Sequence, residues 1–145
     1  MDEFETVIEI RRPPAEVFAA LVAFDKAPTW NPGVSEVRTS EGPFGVGSTL
    51  VYVGRFLGRA YESTSECTEY DPGRRIVTKS TSGPFHLEVD YKIEETGDGT
   101  RLTGFYRGES HGFFKLAEPI VVRMTKRHFE TAADNLRELV EADAL

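Results

Sequence analysis

The chain of 145 residues has one cysteine, one tryptophan, two methionines and three histidines. Cys67 alone cannot close an intrachain disulfide, and it has no cysteine companion at zinc-ligand spacing, so a reducing compartment suits it. Cations are the minority: 17 Lys and Arg against 24 Asp and Glu leave a net charge of −7. That sign repels nucleic-acid phosphate and anionic lipid, and the cations are scattered along the chain, so nucleic acid is not an expected partner. No apolar run approaches the ~18 residues of a membrane span. Met1-Asp2-Glu3-Phe4-Glu5 lacks the basic and apolar regions of a secretory signal. The expectation is a cytoplasmic protein, monomer or homodimer. G-x-S-x-G, H-E-x-x-H, P-loop and Rossmann patterns are also missing, which argues against a nucleotide- or metal-dependent enzyme and leaves no cofactor expected.

What is present suits one folded domain over 1–145. Hydrophobic residues make up 39% and charged ones 28%, and a domain of this length buries ~70% of the surface its unfolded chain exposes. Residues 3–11 alternate, with Phe4, Thr6, Ile8 and Ile10 on one face, the period of a half-buried strand. Pro13-Pro14 then opens a helix with Val17, Phe18, Leu21 and Val22 as its apolar stripe. Residues 25–32 form a short second helical turn that Pro32 stops. From 34 to 108 short alternating runs are punctuated by turn residues such as Asp71-Pro72-Gly73, Ser82-Gly83-Pro84 and Gly97-Asp98-Gly99. Six strands follow, at about 34–40, 47–54, 59–70, 74–81, 85–95 and 99–108. The short connections make them antiparallel neighbours. A 3.6-residue period returns near Glu118-Pro119, with Ala117, Val121, Met124, His128, Ala132, Leu136 and Leu139 along one stripe. This helix of about 25 residues would be ~38 Å long, enough to cross a sheet.

The faces of the strands carry the functional signal. Alternation points Tyr61, Ser63, Ser65 and Cys67 inward on one strand, and Phe85, Leu87, Val89, Tyr91 and Ile93 inward on another. Leu102, Gly104 and Tyr106 do the same on the last, and Ile76, Thr78 and Ser80 on its neighbour. A sheet packed tightly on a helix needs large apolar side chains at such positions. Several here are small or hydroxylated. That pattern describes a largely apolar cavity with a few convergent polar groups, unless those positions lie at wet sheet ends or a bulge reverses the alternation.

The order strand, two short helices, six-stranded meander and long terminal helix resembles the START-like (SRPBCC) superfamily, in particular its polyketide cyclase/dehydrase branch. The stretches that carry the likeness run the length of the chain. They include Ile10-Arg11-Arg12-Pro13-Pro14-Ala15-Glu16-Val17-Phe18, Trp30-Asn31-Pro32-Gly33-Val34, Gly45-Val46-Gly47-Ser48, Glu69-Tyr70-Asp71-Pro72-Gly73-Arg74-Arg75-Ile76 and Gly97-Asp98-Gly99-Thr100-Arg101-Leu102. The resemblance implies an α+β helix-grip fold, with a seven-stranded curved antiparallel sheet around the C-terminal helix. It also implies a cavity between them of the kind the superfamily uses for lipids, sterols, polyketides and plant hormones. The matching motifs are turns and caps, so no catalytic residue comes with them.

The expected ligand is a small hydrophobic, ring-containing, polyketide- or lipid-like molecule. The candidate binding residues are Trp30, Tyr61, Tyr91, Tyr106, Met124 and His128. His128, on the helix's apolar stripe, is the best candidate for catalysis as a general acid or base, or else a satisfied histidine. The tyrosines offer rings for stacking and hydroxyls for a polar end, or are core residues with hydroxyls at the rim. Trp30 is a cavity wall or a clamp between helices and sheet, and Met124 an adaptable wall or core filler. His111-Gly112-Phe113-Phe114 is a gate at the cavity mouth or an anchor for the helix start. His86, with Glu88 and Asp90, lies on the outer face of its strand. Two further functions compete: a cofactor-free cyclase, dehydratase or isomerase, which needs a second polar group beside His128, and a protein-interaction module, which needs an exposed apolar patch.

Overall fold

Alternation and turn chemistry build one seven-stranded sheet with the first strand at one edge and the second strand at the other. In the computed structural model, which describes residues 2–110 and 118–145, the chain begins with β1 (Asp2–Ile10), α1 (Pro14–Val22) and a 3₁₀ segment (Phe24–Thr29). Six strands follow, β2 (Val34–Thr39), β3 (Thr49–Phe56), β4 (Arg59–Asp71), β5 (Arg75–Ser82), β6 (Phe85–Thr96) and β7 (Gly99–Ser110), before the long helix α2 (Glu118–Glu141). All pairings are antiparallel and the spatial order is β1-β7-β6-β5-β4-β3-β2. The sheet curls into a half-barrel around α2, the helix-grip arrangement. No helix among the described residues is long and apolar enough to cross a membrane.

Local chemistry accounts for the elements. Pro13 and Pro14 sit at the N-terminus of α1, where a missing N–H costs nothing. Val17, Ala20 and Leu21 are its buried side. β3 begins and ends two residues later than expected, running through Gly54. At that point the chain leaving the 3₁₀ segment crosses it: Gly33 carbonyl accepts from Arg55 N–H at 2.8 Å, and a Cβ on Gly54 would collide with that carbonyl. The close approach lays Trp30 and Asn31 against β3.

Curvature comes from irregularities in register between Val34 and Glu36, Thr64 and Ser65, and Cys67 and Glu69. The last of these lies beyond Cys67, so the expected inward set on β4 keeps its parity. After it Tyr70 turns inward to meet Phe44 and Phe18, with ring centroids 5.3 and 5.8 Å away.

The core is continuous but unevenly filled. Ile10, Val17, Leu21, Ile93 and Leu102 pack with Ala132, Leu136 and Val140 of α2. The C-terminal end of α2 is also held by polar contacts. Arg12 Nη2 donates to Glu141 carbonyl at 2.5 Å, and the Arg11 N–H donates to Glu141 Oε2 at 2.8 Å. Buried Thr100 fixes the same segment by donating to Arg12 carbonyl at 2.6 Å.

Candidate functional site

Beneath the N-terminal half of α2 the packing stops and a cavity of about 200 Å³ opens. One water molecule needs only ~10–15 Å³ of such space, so there is room for an organic ligand. The floor is the concave face of β3 to β6 and the roof is Val121, Thr125, His128 and Phe129. Trp30 and Asn31 close one side, and Phe56, Tyr61 and Phe85 gather toward the start of α2. Phe85 meets Phe56 and Tyr61 edge-on at 5.5 and 5.8 Å.

The space exists because of register. Ser65 stands opposite Ser80, and Cys67 opposite Thr78, which groups the smallest inward side chains in the middle of the sheet. Two of the hydroxyls are absorbed by the sheet itself. Ser63 Oγ donates to Ser82 carbonyl (3.2 Å), while Ser80 Oγ donates to Leu87 carbonyl (3.2 Å) and accepts from its N–H (3.1 Å). The hydroxyls of Tyr52, Tyr61, Ser65 and Thr78 also face this region and have no hydrogen-bond partner among the described residues. They border the cavity, where a ligand or water can satisfy them. Trp30 Nε1 and Asn31 Oδ1 are fully buried and have no partner among the described residues.

Burial sets the protonation states. It pushes the Tyr52 phenol up to about 12, with nearby Tyr61 adding to the effect. Tyr91 rises well above the usual range by burial, then through Tyr106, and Tyr61 rises by burial alone. These hydroxyls remain protonated donors at neutral pH. His128 moves the other way: burial holds its pKa below the usual histidine value, so its imidazole is neutral at pH 7. Its ring lies edge-on to Phe129 at 5.1 Å and to Phe56 at 6.4 Å.

A half-barrel closed by a terminal helix over a mostly apolar void is the setting in which sequence comparison can be read. The family described as "Polyketide cyclase / dehydrase and lipid transport" matches residues 1–141. The chain belongs to this family. No protein of curated function matches it by sequence. Among solved structures, TTHA0849 from Thermus thermophilus is 20% identical, covering 99% of this chain and 100% of its own, with a TM-score of 0.85. A START superfamily protein from Mycobacterium smegmatis is 17% identical over 97% of both chains (TM-score 0.82). The Zhui aromatase/cyclase from Streptomyces sp. R1128 is 17% identical over 99% of this chain and 93% of its own (TM-score 0.72). At these identities the likeness concerns the fold.

Within this polyketide cyclase/dehydrase and lipid transport fold, Trp30, Tyr61, Tyr91 and His128 all line the cavity. Trp30 is also buried, with Asn135 Nδ2 donating to its carbonyl at 3.1 Å, so it is both wall and clamp. Tyr106 is fully buried one layer behind the wall, stacked on Phe129 at 4.2 Å and Phe4 at 4.9 Å and hydrogen-bonded to Tyr91, all three of which line the cavity. Met124 is a correction. It is 37% exposed and lines no part of the cavity, because the inward stripe of α2 is centred on Val121, Thr125, Phe129, Ala132 and Leu136, leaving Met124 on its flank.

His86 is exposed and borders the mouth, but Asp90 and Glu88 are engaged elsewhere, with Arg75 at 2.8 Å and Arg107 at 3.2 Å. His111-Gly112-Phe113-Phe114 and Ala117 lie outside the described residues. Sequence reasoning missed Tyr52 and Phe129. The first was within reach, since Leu50, Tyr52 and Gly54 share the inward parity of β3. The second was hidden behind the choice of Met124 and His128 as the centre of the stripe.

Proposed function

We propose that this protein binds a small, mostly apolar, ring-containing molecule between the sheet and α2, with its polar end against the hydroxyls of the sheet. The observation that carries this reading is the pairing of an aromatic-walled void with hydroxyls of Tyr52, Tyr61, Ser65 and Thr78 that have no partner among the described residues. Trp30, Tyr61, Tyr91 and His128 are its binding residues, with Tyr52 added to them and Tyr106 supporting Tyr91 from behind. The family's description and the aromatase/cyclase among its structural relatives support a ligand of polyketide or lipid type. A thermal-shift screen with aromatic polyketides, sterols, fatty acids and flavonoids tests this. A ligand at 100 times its Kd adds about 2.7 kcal/mol, a shift of several degrees in a chain of this size. No shift across the panel would sink the reading.

Turnover is the second reading. The neutral imidazole of His128 and the protonated Tyr91 phenol on the same cavity supply a proton acceptor and a hydrogen-bond donor, the pair that cofactor-free cyclisation or dehydration requires. Mass spectrometry of any stabilising compound after incubation distinguishes the two. An unchanged compound supports binding alone, whereas a product that His128→Gln no longer forms supports catalysis. Exposed apolar side chains, which an interaction module would need, are spread over β1 (Val7), β7 (Phe105), a turn (Leu57), a loop (Val46) and the start of α2 (Ile120, Met124), and they favour neither reading.

A further inference from the structure

One polar feature of the cavity wall is more ordered than the separate hydroxyls around it. Thr6 on β1, Tyr106 on β7 and Tyr91 on β6 come from three adjacent strands, and Gly104 of β7 pairs in register with both Thr6 and Tyr91. The Tyr106 hydroxyl donates to the Tyr91 oxygen at 3.1 Å and lies 3.4 Å from Thr6 Oγ1. A phenol has one proton. With that of Tyr106 directed to Tyr91, the bond to Thr6 must be donated by the threonine. The proton of Tyr91 then has no acceptor among the described residues, and Tyr91 lines the cavity.

The surroundings are shaped to keep this row in place. A Cβ at Gly104 would lie 2.5 Å from the Tyr106 oxygen and 2.8 Å from Thr6 Oγ1, so the glycine leaves the crossing open. The Tyr106 ring is stacked between Phe4 and Phe129, and Tyr91 meets it edge-on at 5.9 Å. Aligned hydrogen bonds polarise one another, so a phenol that already accepts from Tyr106 is a stronger donor at its free end. Its pKa, raised by burial, keeps it protonated in neutral and mildly alkaline solution.

We propose that the Thr6–Tyr106–Tyr91 row is a relay ending in a subsite for an acceptor oxygen of the ligand, which selects ring compounds bearing a carbonyl over hydrocarbons of the same shape. The inference rests on the reading that the cavity holds a ring-containing molecule. Tyr91 is the contact residue, and Tyr106 and Thr6 are positioning residues.

Fluorenone and fluorene, matched in shape and differing in the carbonyl, test it by calorimetric titration of the full chain. Wild type should bind fluorenone more tightly. Tyr91→Phe should lower fluorenone affinity about tenfold, and Tyr106→Phe about threefold, each leaving fluorene unchanged, the range expected for one hydrogen bond. Both substitutions keep the ring, and circular dichroism checks that the variants are folded. A merely structural role for Tyr106 would weaken both probes alike. Equal wild-type affinity for the two probes, or equal losses in Tyr91→Phe, would overturn the relay and leave the cavity reading intact. Binding of neither probe would overturn the ring-compound reading itself.

Discussion

Along its C-terminal half α2 presents Ala132, Leu136 and Val140 to a filled core, and along its N-terminal half it presents Val121, Thr125, His128 and Phe129 to open space. The sheet beneath changes in the same sense, from Ile10, Ile93 and Leu102 to Ser65, Thr78 and Ser80. Polar contacts follow the division. The last turn of α2 contains no basic residue, yet its carbonyl end receives a cation from outside, since Arg12 reaches Glu141 carbonyl and, at 3.3 Å, Asp143. A positive charge there suits the helix dipole. Arg123, Lys126 and Arg127 instead lie in the N-terminal half of the helix, away from its negative end. One end of the helix thus secures the fold, and the other borders the cavity.

The sharpest way to break this comparison is to truncate a side chain at each end. Leu136→Ala removes a fully buried side chain from close packing and should cost about 2–5 kcal/mol in urea unfolding. Val121→Ala should cost about 1 kcal/mol or less, because the valine borders space that is already empty. Equal losses would mean that the two halves are packed alike.

High pH separates the halves next. Unfolded tyrosine ionises near 10, whereas folded Tyr52 holds its proton to about 12. Between those values the folded state binds more protons. The stability that Tyr52 contributes is therefore complete below pH 10 and is lost as pH rises toward 12. The loss is on the order of 2 kcal/mol, and Tyr52→Phe should flatten it. An unchanged slope in the variant would place the effect elsewhere.

Filling the void should make the N-terminal half resemble the C-terminal one. Ser65→Val replaces a hydroxyl that borders the cavity with methyl groups facing it. It should stabilise the empty protein by about 0.5–2 kcal/mol and weaken any compound found by thermal shift. A stabilised variant that still binds fully would put the ligand elsewhere.

These contrasts also show what the residues alone could reveal. Period and turn chemistry located all seven strands and both long elements because each rests on neighbours in sequence. The inward parities of β4, β5, β6 and β7 were legible for the same reason, and the small residues on them foretold the void. Tyr106 standing behind Tyr91 depends on sheet curvature and pairing register, which alternation along one strand does not encode. Met124 was misplaced because a helix stripe several residues wide has an edge, and only the opposing surface decides where it falls. Tyr52 was readable from the alternation of β3, where it shares the inward face with Leu50 and Gly54.

The smallest expected effect probes whether the roof is dry. His128 is half-buried against Phe56 and Phe129, and burial lowers its pKa below the unfolded value of ~6.5. In the window between the lowered folded value and ~6.5 the unfolded chain takes up a proton that the folded one refuses. The stability associated with neutral His128 is thus complete above ~6.5 and is lost as pH falls through that window. His128→Gln should remove this part of the acid slope. A bound apolar ligand, by drying the cavity further, should steepen the wild-type slope and leave that of His128→Gln unchanged. If the wild-type and His128→Gln slopes coincide with and without ligand, water reaches the imidazole freely, and the N-terminal half of α2 borders a wet cleft.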